Sequence, residues 1–194
     1  MRGSTRAFMG ETIGTYILVL FGIGSVAAAV ATGAQMGLWQ VAVVWAFGVA
    51  LAIYVSANVS GAHLNPAVSL AFAIFRRSEF SFRMLPLYWT AQLLGAILAG
   101  VTILAVFSPF IVRFESDNGI VRGEAGSQLS AMMFGEYFPN PAMYGTGPDA
   151  AALISPAGAA FVEGFGTAIL ALVIFSLTDR RNAGLSTRNM TPLL

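Results

Sequence analysis

Residues 61–68 read GAHLNPAV and open an apolar run that is too short to cross a membrane. Asn65 stands where a helix N-cap belongs, and Pro66 stands at the first helical position, where its missing N–H is harmless. Arg76 ends the run, so a helix over 65–75 rises about 16 Å, roughly half of a ~30 Å hydrocarbon core. A half-crossing helix must be shielded by other helices or line a water-filled cavity, which is typical of a channel or transporter.

The composition is that of a polytopic membrane protein. The 194 residues are 57% hydrophobic and only 10% charged, with a mean hydropathy of +0.75. The net charge of +1 carries no nucleic-acid signature, so we expect no nucleic-acid partner. The absence of cysteine excludes disulfides and thiol catalysis, and with a single histidine we expect neither a metal site nor a cofactor.

Four apolar runs are long enough to cross the bilayer, since each exceeds about 20 residues. They are 8–31, 38–57, 84–112 and 153–178. The half-helix lies between the second and the third. We therefore expect one transmembrane channel domain over 1–194. Its parts are a first repeat at about 7–112, an external loop at 113–152 and the start of a second repeat at 153–194.

The arginines predict the orientation. All ten cationic side chains are arginine, and eight of them precede the first run, follow the half-helix or follow the fourth run. The positive-inside rule then places the N-terminus in the cytoplasm and the loop 113–152 outside. Arg76 and Arg77 must lie on the side from which the half-helix loop entered, so the segment is re-entrant. The external loop is rich in glycine and proline, which predicts turns rather than a domain.

The chain also repeats itself. Residues 11–18 read ETIGTYIL and residues 163–170 read EGFGTAIL, with five of eight positions identical. The predicted orientation runs the two copies in opposite directions, which indicates an inverted repeat. At this offset of 152 residues, the counterpart of Asn65 falls near position 217, beyond Leu194. We therefore expect half of the pore to be missing from these residues, and the truncated chain to be inactive alone.

The pore hypothesis rests on the half-helix and the loop before it. The Asn65 amide could donate to a permeating oxygen, and the helix dipole would oppose cations there. The backbone carbonyls of the preceding loop would form a ladder for hydroxyls or waters; they belong to Gly61, Ala62, His63 and Leu64. The other interpretation is an ordinary N-cap, which is common in any helix.

Two glutamates and a tryptophan carry the remaining hypotheses. Glu11 and Glu163 are expected to be buried at membrane depth, where a carboxylate is expensive. They could coordinate protons or ions, or pin the N–H groups of a pore loop, and two equivalent copies favour pinning. The His63 ring is expected to hydrogen-bond in the loop or to Glu11, and Gln92 between helices. Trp45 could face lipid, fill a packing gap or form an apolar wall for the CH face of a polyol, and its spacing in the sequence does not decide among these roles.

At these residues the chain resembles the major intrinsic protein (aquaporin) family. Residues 55–68 match the family's first pore loop, and Glu11 with the Gly-Thr that follows matches its opening helix. Trp45 stands where the glycerol-facilitator branch places a tryptophan in its selectivity filter. Residues 120–123 and 139–141 resemble the long external loop of that branch.

The resemblance implies an all-α membrane fold, an aquaporin-like inverted-repeat bundle, here incomplete, with four full transmembrane helices and one re-entrant half-helix. It implies passive conduction of glycerol, small polyols and water, and a homotetramer in the plasma (inner) membrane when the protein is complete. Asn65 would be one of two pore asparagines, with Pro66 and Ala67 completing its motif, and Glu11 and Glu163 would brace the loops. The family's sixth helix and second Asn-Pro-Ala have no counterpart in these residues.

Two other classes stay open. A secondary transporter could couple protons through Glu11 or Glu163, and a proton-gradient dependence of uptake would identify it. An intramembrane serine hydrolase could use Ser25 and His63 as a dyad, which an active-site serine probe would detect. A helix of small residues explains Ser25 better.

Overall fold

The computed structural model describes residues 2–34, 37–179 and 181, and their regular structure is helical throughout. Four long helices and one short one carry the architecture. In chain order the helices are α1 (Arg2–Thr32), α2 (Leu38–Ser60), α3 (Pro66–Phe75), α4 (Leu85–Asp117), α5 (Gln128–Ala131), α6 (Pro141–Tyr144), α7 (Pro148–Ala152) and α8 (Pro156–Thr178). A 3₁₀ turn, Phe82–Met84, leads into α4. The predicted all-α fold is confirmed.

The long helices α1, α2, α4 and α8 coincide with the four predicted runs, and α3 coincides with the predicted half-helix. By length and composition all four can cross a membrane. Their ends differ from the apolar runs because a helix continues wherever its polar end can reach water. α4 has 33 residues and so extends for about 50 Å. Its last turn carries the exposed pair Arg113–Asp117, 3.5 Å apart.

α1 is the central helix and packs along both α2 and α4. Small residues make this close approach possible. A Cβ on Gly95 of α4 would lie 2.4 Å from the carbonyl oxygen of Thr12, so the two backbones touch there. A Cβ on Gly14 of α1 would lie 2.6 Å from the Ser56 hydroxyl on α2. Substituting either glycine would force the helices apart.

α8 meets the rest of the described chain chiefly through α3. The Arg76 guanidinium donates to the Phe175 carbonyl at 2.7 Å and to the Thr178 hydroxyl at 2.9 Å. The Phe72 and Phe175 rings meet edge to face at 5.0 Å. No residue of α8 is buried among the described residues. Most of its apolar surface therefore has no packing partner there.

The segment between α4 and α8 consists of turns and the one-turn helices α5, α6 and α7. It is fastened to the bundle at Met133, which is fully buried with Ile23 and Ala27 of α1 and with Ile103 and Ile111 of α4. A side-chain plug of this kind holds a long loop against the helix ends without forming a domain.

An ion pair fastens the same segment a second time. The Nε of Arg122 donates to both oxygens of Glu115, at 2.8 and 3.0 Å, and the Glu115 side chain is only 11% exposed. The Ile120 amide donates to the Glu115 carbonyl at 2.8 Å, so the pair closes a tight turn at the end of α4. Neutral glutamine at position 122 would leave this carboxylate without its cation.

We expect Arg122→Gln to make the Ile120 amide exchange with solvent about tenfold faster, because a charge-assisted pair with one partly exposed partner contributes about 1.5 kcal/mol. Native-state hydrogen exchange by mass spectrometry measures this. Arg113→Gln is the matched control, because its pair with Asp117 is exposed and worth under about 1 kcal/mol. Equal acceleration in both variants would contradict a specific fastening role.

Candidate functional site

The site is built around the Glu11 carboxylate, which is fully buried and accepts four hydrogen bonds. Oε1 accepts from the Ser60 hydroxyl at 2.7 Å and from the His63 amide at 3.0 Å. Oε2 accepts from the Leu64 amide at 2.8 Å and from the Gln92 side-chain amide at 2.7 Å. One side chain of α1 thus holds the end of α2, the loop after it and α4 together.

The loop backbone is bent to meet this carboxylate. Gly61, Ala62 and Leu64 have φ values of 91°, 52° and 53°, in the left-handed region. Each non-glycine residue there costs on the order of 1 kcal/mol, so the bonds to Glu11 must stabilise the bend. The turn directs the His63 and Leu64 amides toward Glu11.

In the loop 61–64 the backbone N–H groups have partners within the protein, whereas the carbonyls have none among the described residues. The Gly61 amide donates to the Ala57 carbonyl at 3.0 Å and the Ala62 amide to the Ser60 hydroxyl at 3.2 Å. With the two bonds to Glu11, all four N–H groups of 61–64 are satisfied by protein. No described residue donates to any of the four carbonyls of 61–64. The loop therefore presents acceptors and no free donors.

Asn65 caps α3 as predicted. Its Oδ1 accepts from the Ala67 amide at 2.8 Å and from the Val68 amide at 3.2 Å. Its backbone is extended, with φ −150° and ψ 129°, and Pro66 occupies the first helical position. With Oδ1 occupied, the Nδ2 group points away from the helix and donates to no residue in the described part of the chain. Pro66 and Ala67 are exposed beside it.

The His63 ring lies in an aromatic enclosure. It stacks on Phe72 at a centroid distance of 4.5 Å and lies 5.0 Å from the Tyr88 ring. Its Nδ1 contacts the Ser69 hydroxyl at 3.2 Å. Glu11 binds the backbone amide of His63 and not the ring, because the loop reaches α1 with its main chain.

Sequence reasoning missed Ser60, Ser69 and Tyr88. The Tyr88 hydroxyl donates to the Ser60 carbonyl at 2.5 Å, and Gln92 also donates to the Ser69 hydroxyl, at 3.1 Å. Gln92 thus makes the interhelical bonds expected of it. The available signal was polarity at membrane depth, since such groups in apolar helices need partners. Which partner each takes depends on how the helices pack.

The Trp45 ring lies against α1, half-buried, at Gly22. It also packs on the cluster that contains Ile23 and Met133, so it lies toward the end of the bundle that carries the segment between α4 and α8. Fifteen residues of α2 separate it from Ser60, which corresponds to about 22 Å along the helix. Trp45 and the Glu11 network therefore occupy different levels of the bundle.

Glu163 differs from the sequence expectation. Its side chain is exposed on α8 rather than buried, and it accepts no hydrogen bond from any residue within 2–34, 37–179 and 181. The physical reason is that Glu11 is buried by its own loop and by α4. At the 152-residue offset, the equivalents of 60–64 fall near 212–216, outside the described residues.

The proposed Ser25–His63 dyad is wrong. The Ser25 hydroxyl donates to the Gly22 carbonyl at 2.7 Å, within its own helix. Ser25 lies fourteen residues from Glu11, about 21 Å along α1, whereas His63 is at the level of Glu11. In the described part of the chain, no three His, Cys, Asp or Glu residues are grouped so as to hold a metal ion.

Comparison with known proteins agrees with this architecture. Residues 2–194 match the family described as "Major intrinsic protein". The chain is 43% identical to the glycerol uptake facilitator protein of Pseudomonas aeruginosa, over 96% of this chain and 61% of that protein. It is 38% identical to the glycerol uptake facilitator protein of Haemophilus influenzae, over 96% of this chain and 65% of that protein.

Two further relatives extend the comparison. The chain is 35% identical to the propanediol uptake facilitator of Salmonella typhimurium, over 100% of this chain and 68% of that protein. The crystal structure of the aquaglyceroporin from Plasmodium falciparum superposes with a TM-score of 0.65 at 29% identity, covering 93% of this chain and 64% of that one. The chain spans about three fifths of the facilitators it matches first. It belongs to the major intrinsic protein family, a family of membrane channels and not of enzymes, and is similar to its glycerol uptake facilitators.

Proposed function

We propose that the whole protein is a passive channel for glycerol, small polyols and water. The observation that carries the proposal is the one-sided loop 61–64, whose amides are all bound by protein and whose carbonyls have no described donor. Unpaired carbonyls at membrane depth must face a polar cavity. A row of acceptors suits hydroxyls and waters in single file, because each carbonyl replaces one hydrogen bond to solvent.

Asn65 supplies the complementary donor. Its Oδ1 is fixed by the start of α3, so Nδ2 is oriented outward toward a passing oxygen. The N-terminal end of α3 carries the positive end of the helix dipole, which disfavours cations and protons there. Pro66 has no backbone N–H and the Ala67 N–H is bound to Asn65 Oδ1, so neither residue offers a competing backbone donor at this helix end. Glu11 holds the loop from the side of α1.

The Glu11 contacts favour passive conduction over proton coupling. The Glu11 carboxylate is fully buried, and each of its oxygens accepts a hydrogen bond from a backbone amide of the loop, so both oxygens are engaged in holding the loop. Glu163 would have to carry coupling alone, from an exposed position. These contacts support loop bracing as the role of Glu11, and we assign Glu163 the same role in the whole protein.

We infer the membrane location and the orientation from the arginine distribution and from the relatives. We place the protein in the plasma membrane with its N-terminus in the cytoplasm, because the arginine distribution obeys the positive-inside rule and the bacterial relatives are uptake facilitators. We propose a homotetramer by resemblance to the family. Chemical cross-linking in native membranes tests the oligomer.

The test of the function measures glycerol and water flux into liposomes that contain the protein purified from its natural source. We expect stopped-flow light scattering to show glycerol entry well above that of empty liposomes, unchanged when a proton ionophore collapses the pH gradient. Uptake that requires the gradient would contradict passive conduction and restore the transporter alternative.

We expect Trp45→Phe in the same liposomes to change the ratio of glycerol to water permeability by roughly tenfold, since small changes in an apolar wall discriminate substrates by 10-fold or more. Trp39→Phe is the matched control, because Trp39 is 68% exposed near the start of α2. An unchanged permeability ratio in the Trp45→Phe variant would show that Trp45 does not line the lumen.

A further inference from the structure

Gly22 is the part of α1 on which the Trp45 ring rests. A Cβ built on Gly22 would lie 2.3, 2.4 and 2.5 Å from Cζ2, Cη2 and Cε2 of Trp45. Carbon atoms pack no closer than about 3.5 Å, so the indole occupies the space that any side chain at position 22 would fill. The contact involves the benzene half of the indole, which is the part that extends farthest from α2.

The ring has little freedom to move back toward its own helix. A Cβ on Gly48, three residues after Trp45, would lie 2.6 Å from the Cβ of Phe21. Each helix therefore has a glycine against which an aromatic residue of the other helix packs, and the two backbones are already close. On another side the ring packs on the cluster of Ile23 and Met133. Its free direction is its exposed side.

We propose that Gly22 is a positioning residue for selectivity: by lacking a side chain, it lets the Trp45 ring lie flat on α1 and so sets the free width of the lumen at that level. The inference rests on the proposed function, in which Trp45 borders the lumen. A methyl group at position 22 must displace the ring by about 1 Å to reach ordinary contact distance. That displacement narrows the lumen, which excludes a polyol before it excludes water.

The test compares Gly22→Ala with Gly100→Ala. Each substitution is introduced into the natural gene, and its protein product is reconstituted in liposomes. Gly100 lies within α4 and a Cβ there meets no atom within 4 Å, so both variants gain the same helix propensity and only one meets an obstacle. We expect Gly22→Ala to lower the ratio of glycerol to water permeability about tenfold, as for one methyl group in an apolar site. Gly100→Ala should leave the ratio unchanged.

A double-mutant cycle with Trp45→Phe shows whether the effect passes through the ring. Phenylalanine is shorter than the indole, so Gly22→Ala should have no effect on the ratio when position 45 is Phe. A lowered ratio in that background would overturn the inference, because Gly22 would then act without Trp45. An unchanged ratio for Gly22→Ala alone, with a shift for Trp45→Phe, overturns the inference and leaves the role of Trp45 standing. No shift for either variant overturns both.

A measurement without flux covers the case in which Gly22→Ala folds poorly. In the 194-residue chain, which has three tryptophans, Trp45 is the only one left in a Trp39→Phe/Trp89→Phe background. We expect Gly22→Ala to shift the Trp45 emission maximum and to increase acrylamide quenching relative to Gly100→Ala. Identical spectra would overturn the inference. If Gly22→Ala yields no folded protein, recovery of folding by added Trp45→Phe supports the contact, and failure to recover overturns it.

Discussion

Glu11→Gln is expected to lower the free energy of unfolding by on the order of 3 kcal/mol, the largest loss from any single substitution proposed for this chain. The amide keeps one acceptor oxygen and places an NH2 group at the other position, where a backbone N–H of the loop, from His63 or Leu64, points at it. Either the Leu64 amide and the Gln92 side chain, or the Ser60 hydroxyl and the His63 amide, lose their partner. Buried donors left unpaired cost about 1–3 kcal/mol each.

Thermal unfolding in detergent, followed by circular dichroism, measures the loss. In the 194-residue chain, Glu163→Gln is the matched control, because Glu163 is exposed there and accepts no bond from the described residues, so the melting temperature should equal that of the unmodified 194-residue chain. A Glu11→Gln variant that melts at the temperature of the unmodified 194-residue chain would contradict loop bracing.

The 194-residue polypeptide, reconstituted by itself, is expected to give no glycerol flux above that of empty liposomes. Among the described residues, α8 buries no side chain, and Pro66 and Ala67 at the start of α3 are exposed. The loop 61–64 then has an unpaired row of carbonyls with no opposing wall, and each unsatisfied group in hydrocarbon costs several kcal/mol. We also expect a low melting temperature in detergent for the same reason.

The matched experiment adds the part of the Pseudomonas aeruginosa relative that the chain does not match, as a second chain or as a fusion. Recovery of both flux and melting temperature is expected, because that part supplies the opposing wall. Adding the same part of the relative to the Asn65→Ala variant should raise the melting temperature of that variant without restoring normal flux. Selective glycerol flux from the 194 residues alone would show that the carbonyl row needs no partner.

Local features of the site were predictable because they depend on neighbouring residues. The N-cap at Asn65 follows from its side chain, the proline after it and the apolar run that begins there. In the structure the Asn65 Oδ1 accepts from the Ala67 and Val68 amides at 2.8 and 3.2 Å. The end of α3 at Phe75 follows from the arginines that succeed it. The four long helices follow from uninterrupted apolar length.

Contacts between distant residues were not predictable in detail. Glu11 was expected to brace a loop, yet its bonds to Ser60 and Gln92 require α1, α2 and α4 to meet at one level. Glu163 has nearly the same local sequence as Glu11 and is exposed, so burial is a property of the surrounding elements. Met133 gave no signal in the sequence, since a methionine in a loop is buried only when a gap between helices accepts it.

Residue order alone predicts a helical membrane protein with a half-crossing helix capped at Asn65, because hydrophobic length, capping chemistry and charge placement act within a few residues. Three features depend on tertiary packing: Glu11 binds the main chain of the loop 61–64, the carbonyls of that loop have no donor among the described residues, and Trp45 packs on Gly22. These outcomes depend on the close approach of helices that are far apart in the chain. At contacts of 2–4 Å, the presence of a single Cβ decides which side chain fits.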